Sequence, residues 1–354
     1  MTVRTLLRLG KSSLVVVLPK DWLKENNLKS GDKIIIKQDN DGSLKLIPLD
    51  AFNNDTSDRR TFYINLDKFE DSEFLQRLIV ANYLIGNSEL VIATKKDAIH
   101  PVYLKSIREI TEKIKNLEII ERKANLITLK STSEITKISI ETLIERLLSI
   151  VLSMTDHLKL ALLKKDPKHL DRIIERENDV DRLHWLGIRQ LVMVLKNRTL
   201  AKNLGITSIM QVVENRIIIK SLEVCGDYLE EIAKDLKKID LSEFTQYSDV
   251  INAIVNLIEN IEDVISDTNR AYIGLDAILA NNLIKKVNEL DEIIHRYEEE
   301  ILQEVIDAKI SSILTKLLTR LSDMVRNIAV ICEIIINRAV EHPSKMLKPY
   351  IQEV

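Results

Sequence analysis

The chain has 354 residues, 30% of them charged and only 4% aromatic, with 8 Gly, 6 Pro and a formal net charge of −3. So few chain breakers and aromatics exclude a collagen-like or mostly β chain and favour long helices joined by short loops. The charge is uneven: residues 1–37 hold eight Lys or Arg against Asp21, Glu25 and Asp32, a balance of +5 that leaves −8 on the rest and places any nucleic-acid contact near the N-terminus.

The two cysteines, Cys225 and Cys332, stand in apolar helical contexts and read as reduced core residues. No run reaches the roughly 18 apolar residues of a membrane span, and the start lacks a signal peptide's apolar region. A cytoplasmic protein without membrane insertion is expected.

Residues 1–50 read as short strands at Thr5–Leu9, Leu14–Leu18, Lys33–Lys37 and Leu44–Ile47, with Pro19 starting a short helix around Trp22. About 50 residues bury too little surface to be stable alone, so a homodimer through this domain is expected. Gly10-Lys11-Ser12-Ser13-Leu14-Val15-Val16-Val17-Leu18-Pro19-Lys20-Asp21-Trp22, with Leu28-Lys29-Ser30-Gly31-Asp32-Lys33 and Asp41-Gly42-Ser43-Leu44, resembles the AbrB/MazE/SpoVT swapped-hairpin DNA-binding domain. The resemblance covers nearly all of residues 3–49. It implies two chains interleaving hairpins into one small barrel and presenting Arg4, Arg8, Lys11 and Lys20 to double-stranded DNA. Arg can read guanine edges, whereas Lys mostly neutralises phosphate. The competing reading makes these cations a solvated face and the domain a dimerisation clamp.

Residues 51–60 read as a polar linker. A small α/β connector follows over 60–130: strand Thr61–Leu66, a helix over 71–86, strand Glu89–Ala93, a helix over 101–115, and strands Leu117–Ile120 and Leu126–Leu129. It has neither a phosphate-binding glycine loop nor a nucleophile with a base, and its role stays open.

From about 134 to 342 the pattern is long amphipathic helices with an internal repeat, 134–238 and 241–342. A shift of 96 places Leu222, Cys225, Leu229 and Ile232 on Leu318, Leu321, Val325 and Ile328. A shift of 110 places Ile173, Val180, Asp181 and Leu191 on Leu283, Leu290, Asp291 and Ile301. The fold class expected is therefore multidomain and mainly α: an N-terminal β swapped-hairpin barrel, a small α/β connector and a bundle of two three-helix repeats.

Two helices of the first repeat carry carboxylates four apart, Glu177 with Asp181 and Glu223 with Asp227. On a helix such a pair shares one face with Cβ atoms about 5–6 Å apart and repels without a cation. Glu177 lies on the stripe Ile173, Glu177, Val180, His184, where a carboxylate must be paired, metal-bound or protonated. With 54 acidic residues roughly eight such pairs arise by chance, so the weight falls on seam position and recurrence. Oxygen-rich clusters suit Mg²⁺, Mn²⁺ or iron, a divalent or trivalent ion; ion pairs with the bundle's many Lys and Arg are the alternative.

Glu177-Asn178-Asp179-Val180-Asp181 and Glu223-Val224-Cys225-Gly226-Asp227 resemble the motifs of the PhoU phosphate-uptake-regulator family, and this resemblance covers about 134–342. It implies two three-helix repeats and metal clusters held by Glu177, Asp181, Glu223 and Asp227. The second repeat departs from the motif, with Val287 and Thr319 where the first has Glu177 and Glu223, leaving Asp291 and Asp323 as weaker metal candidates. Asp156, on the first helix, is another, with a capping role as its alternative. His184 and His295 have a spacing reminiscent of di-iron bundles, but the 110 shift sets them on Ile294 and Trp185, so they build no symmetric site and each reads as a surface or core-edge residue. No catalytic constellation stands out, and no enzyme is expected. The resemblances together imply a DNA-binding transcriptional regulator of phosphate uptake with a metal-binding sensor bundle. The alternative is a partner protein that modulates a phosphate transporter or its signalling apparatus without touching DNA.

Overall fold

The computed structural model describes residues 3–10, 13–38, 42–50, 61–68, 71–114, 116–131 and 138–341. Lys11, the turn residues Asn40 and Asp41, and the stretch 51–60 lie outside them. The chain divides into two compact units, Met1–Thr61 with Asn87–Glu89 and Phe62–Gly86 with Leu90–Val354.

In the first unit β1 (Leu7–Leu9) pairs antiparallel with β2 (Ser13–Val15). The connecting turn holds Gly10 at φ 71°, a conformation side-chain-bearing residues resist. Helix α1 (Lys20–Glu25) follows Pro19, and β3 (Ile34–Gln38) pairs with β4 (Leu44–Pro48) as a second two-stranded sheet. The first ladder is shorter than the predicted strands. It stops at Leu7 opposite Val15, and Leu6, Val16 and Val17 stay exposed beyond it. Leu9 and Leu14 are each 64% exposed, so one copy of this unit leaves the apolar side chains of its first hairpin largely in water, against the hydrophobic gain of burying them.

The α/β element runs β5 (Thr61–Asn65), α2 (Ser72–Leu84), β6 (Glu89–Ala93), α3 (Pro101–Lys113), β7 (Leu117–Arg122) and β8 (Leu126–Ser131), with sheet order β5-β6-β8-β7. Asp71 caps α2 by accepting from the Glu73 amide, and Pro101 opens α3, where its missing N–H costs nothing. Leu75, Ile79 and Ile107 join Ile92, Ile127 and Leu129 in one core.

The bundle's first repeat consists of α4 (Ile140–Lys164), α5 (Lys168–Lys196), the short α6 (Thr199–Asn203) and α7 (Ile209–Leu236). The second consists of α8 (Ser248–Gly274), α9 (Ala277–Glu304) and α10 (Ala308–Glu341). The repeat is written into backbone geometry as well as side chains. Helix α4 ends at Lys165 with φ 55° and α8 at Leu275 with φ 46°, both left-handed, and the next residues, Asp166 and Asp276, accept from the amides of Lys168 and Ile278. Those pairs stand 110 residues apart, the offset that aligns the hydrophobic positions. Helix α4 packs on α8 and α7 on α10 around a single apolar core. Buried Arg338 of α10 ties the repeats together by donating to Glu214 at 2.8 Å and Asn215 at 2.6 Å on α7. Among the described residues no helix is long and apolar enough to cross a membrane.

Helix α5 also fastens the α/β element. Arg189 donates to the Tyr83 carbonyl and lies 4.6 Å over its ring, and Lys196 donates to the Ile85 carbonyl at 2.6 Å. Side chains from the bundle thus add donors to the carbonyls at the end of α2, where the Gly86 amide already reaches the Tyr83 carbonyl at 3.1 Å. Gly86, at φ 87°, lies so close to α5 that a Cβ there would sit 2.4 Å from Met193 Sδ.

Candidate metal centre

Small residues bring α5 and α7 together at the level of the acidic motifs. A Cβ on Gly226 of α7 would lie 3.1 Å from Val180 of α5, and one on Gly187 of α5 would lie 2.7 Å from Ile219 of α7. Along the facing turns around these near contacts stand Glu177, Asp181 and His184 from α5 and Glu223, Asp227 and Glu230 from α7. Ligand atoms of Asp181, His184 and Glu223 all lie within 4.8 Å of one another. Glu177 is buried, at 8% exposure. Glu223 is buried to the same degree, and the His184 side chain is 13% exposed.

The electrostatics show a cluster short of positive charge. Burial first, then the neighbouring Asp181 and Glu230 carboxylates, push Glu177 up to about 8. Burial also raises Asp181, although Lys113 opposes the shift. Asp227 is pushed up to about 6 by burial and by Glu223. Repulsion is therefore relieved in part by holding protons. Three lysines help from the rim: Lys220 donates to Glu223, Lys113, the last residue of α3, reaches Asp181 at 3.9 Å, and Lys234 stands 2.7 Å from Glu230. Burial lowers His184, keeping its imidazole neutral. Its Nδ1 lies 3.3 Å from Glu223 Oε1, but the alignment is poor and the buried nitrogen makes no hydrogen bond. An imidazole whose buried Nδ1 has no hydrogen-bond partner, set among convergent carboxylates, supplies the donor types of a divalent or trivalent cation, so the residues fit such an ion.

The second repeat solves the same problem internally. Val287 is buried where the first repeat has Glu177. Asp291 accepts from Ser322 Oγ at 2.5 Å and from Arg326 Nε and Nη2 at 3.2 and 2.8 Å. Burial would raise Asp291, but the Ser322 and Arg326 hydrogen bonds outweigh it and hold the carboxyl below its ordinary value. Asp323 stands 3.9 Å from the same guanidinium, and His295 bonds Glu298 at 3.1 Å. Asp156 pairs with Lys159 at 3.3 Å instead of joining the first-repeat cluster.

Two participants escape a reading by motif. His184 stands inside the carboxylate cluster and not at a free surface, because the near contact at Gly187 draws its turn of α5 against α7. Glu230 lies beyond the four-residue pair, yet the 96 shift sets it opposite Arg326, and that charge reversal was its signal. Of the basic N-terminal residues, Arg4 is exposed before β1, Arg8 is exposed on β1 opposite Leu14, and Lys20 is exposed at the start of α1.

Fold and site together define a two-repeat helical protein with an acidic seam in its first repeat, preceded by an α/β element and a small β unit. Residues 144–236, which include Glu177, Asp181, Glu223, Asp227 and Glu230, match the family model of the PhoU domain. Residues 7–52 match that of the antidote-toxin recognition MazE, bacterial antitoxin. The chain thus carries, on separate stretches, matches to a PhoU domain and to a MazE/AbrB-type domain. Among solved structures, the crystal structure of the phosphate transport system regulatory protein PhoU from Streptococcus pneumoniae is similar, at 18% identity and a TM-score of 0.44, covering 57% of this chain and 94% of that one. No curated protein matches the chain.

Proposed function

We propose that this chain is a DNA-binding transcriptional regulator of phosphate uptake, regulatory and not enzymatic, whose first helical repeat senses a metal ion or a phosphate-linked signal. The observation that supports it most is the pairing of a MazE/AbrB-type domain with a PhoU domain on one chain. Two copies would cover the exposed Leu6, Val16 and Val17 arms by interleaving, and Arg4, Arg8, Lys11 and Lys20 would face the duplex, with phosphate neutralisation making affinity salt-dependent.

In the bundle, Asp181, His184 and Glu223 would hold the ion, with Glu177, Asp227 and Glu230 around them. A bound cation would supply the positive charge that now comes from retained protons and from Lys113. Lys113 belongs to the α/β element, so whatever neutralises Asp181 competes with an anchor of that element. Arg189 and Lys196 on the same helix hold the end of α2. Helix α5 is therefore the route by which the cluster would bias the element that follows the DNA-binding unit in the chain. Such coupling requires different ion affinities in the two arrangements.

The test is a binding titration of the full chain with its own upstream duplex at low and high salt, with and without added Mn²⁺ or Fe²⁺. Tight, salt-sensitive binding that Arg8→Ala/Lys11→Ala abolishes while the dimer persists is expected. Absence of binding to any duplex defeats this reading and leaves the transporter-partner alternative. Binding that ignores the metal defeats the coupling alone.

A further inference from the structure

A cleft of 480 Å³ opens where the α/β element meets the bundle, on α4 and α5 next to the ends of α2 and α3. Its size falls within the roughly 300–1,000 Å³ of small-molecule sites. One wall is apolar and flat, built from Trp185 with Ile150 and Leu186, and the buried Tyr83 contributes from the α/β element. Trp185 packs against that element's core, so its ring is held in place. The other wall is polar, with Arg146 and Ser149 from α4, Arg182 from α5 and Asn116 after α3.

The charge of the cleft is positive in a chain whose net charge is −3. Asp179, the acidic group lining it, accepts from Arg182 and stands 3.4 Å from Arg176 Nη1, so two guanidinium groups share one carboxylate and one positive charge remains. Arg146 adds a second, since among the described residues it has neither an ion pair nor a hydrogen bond. Two positive charges call for a dianion, and guanidinium groups favour planar or tetrahedral oxyanions they can grip with paired N–H donors. A fixed indole face calls for a flat ring, for which stacking and cation–π geometry are suited.

We propose that this cleft binds a small phosphate monoester whose other end is a flat ring, a molecule of mononucleotide size. Arg146 and Arg182 take the phosphate and Trp185 the ring. The site is separate from the carboxylate cluster: Arg182, Leu183 and Leu186 line the cleft, whereas Asp181 and His184 turn to α7. An occupant would therefore press on the same helix from its other side.

AMP is the probe. The two tryptophans are Trp22 and Trp185, so full-length Trp22→Phe protein reports from Trp185 alone, and chelator removes any contribution from the cluster. A saturable change in Trp185 fluorescence with AMP is expected, with adenosine and inorganic phosphate each at least about tenfold weaker. Arg146→Ala should weaken AMP by about tenfold with an unchanged melting temperature, because the position is exposed and Ala suits a helix. No saturable change with AMP, equal binding of adenosine, or undiminished binding by Arg146→Ala would overturn the proposal.

Discussion

The two repeats of the bundle share three long helices, turn geometry and an aspartate at the same place, yet one gathers more carboxylates than the lysines beside them balance and the other pairs its aspartate internally. Asp181 in the first repeat shares its seam with Glu177, Glu223 and Glu230, while its counterpart Asp291 is gripped by Ser322 and Arg326. Four positions carry the difference: Glu177 against Val287, Glu223 against Thr319, Gly226 against Ser322, and Glu230 against Arg326. Replacing an acid by an internal cation gives a site that is complete without a ligand. Keeping all the acids gives one whose folded state stores repulsion until protons or a cation relieve it.

The largest expected effect separates the two halves by metal content. Removing two carboxylates beside the proposed ligands with Glu177→Ala/Asp227→Ala should lower metal affinity by about a hundredfold or more, since single outer partners already cost about 10–100-fold. The matched Asp291→Ala/Asp323→Ala variant should leave affinity unchanged. Equal metal content in both, measured by atomic emission after loading and desalting, would erase the distinction drawn here.

Next in size is the clamp of the second repeat. Arg326→Ala leaves Asp291 without its paired donors, and because the Arg326 side chain is 54% exposed the loss is discounted for solvent screening. Thermal unfolding should show a cost of about 1–2 kcal/mol. The variant should also make the second half sensitive to added Mn²⁺, which would appear as a partial recovery of the melting temperature.

Much of this contrast was legible in the sequence, for identifiable reasons. The helical period and the offsets of 96 and 110 come from residues repeating along one chain, and the left-handed Lys165 and Leu275 with their capping aspartates follow the same count. The carboxylate pairs are local, so Glu177 with Asp181 and Glu223 with Asp227 could be read from spacing. Lys113 could not, because it arrives from a different element across 68 residues of chain. His184 was hidden by its neighbours: only the near contact that Gly187 permits decides which side of the seam its ring occupies. At the N-terminus, alternating apolar residues announce strands, but how far a ladder extends depends on what pairs with it, and β1 and β2 stop after three residues each.

Acidity probes the stored repulsion of the first repeat directly. Glu177 is raised to about 8 and Asp227 to about 6, so the folded state binds these protons more tightly than the unfolded chain. Stability from them is fully present below the ordinary carboxylate range and is lost as pH rises, through about 6 for Asp227 and about 8 for Glu177. Chelator-treated protein should therefore lose stability between pH 5 and 8 with a slope of order 1 kcal/mol per pH unit. Glu177→Gln should flatten the upper part of that range, and Asp291→Asn should not. An unchanged slope in Glu177→Gln, followed by urea unfolding, would show that the proton is held elsewhere.

The smallest effect concerns the scaffold that brings the acids together. Gly226 corresponds to Ser322 in the second repeat, so one half tolerates a side chain where the other has none. Alanine in a helix gains about 0.5–1 kcal/mol over glycine, but its Cβ here would stand 3.1 Å from Val180 Cγ1 and 3.4 Å from Val180 Cβ. Valine is branched at Cβ and has one strongly preferred rotamer in a helix, so it cannot swing aside. Helix α5 must then retreat by a few tenths of an ångström. Gly226→Ala should come out between neutral and about 1 kcal/mol destabilising in thermal melts, while weakening metal affinity more than stability, because the same retreat separates Asp181 from Glu223. A stabilised variant with full metal affinity would mean that the two helices do not need to be this close, and that the acids alone distinguish the repeats.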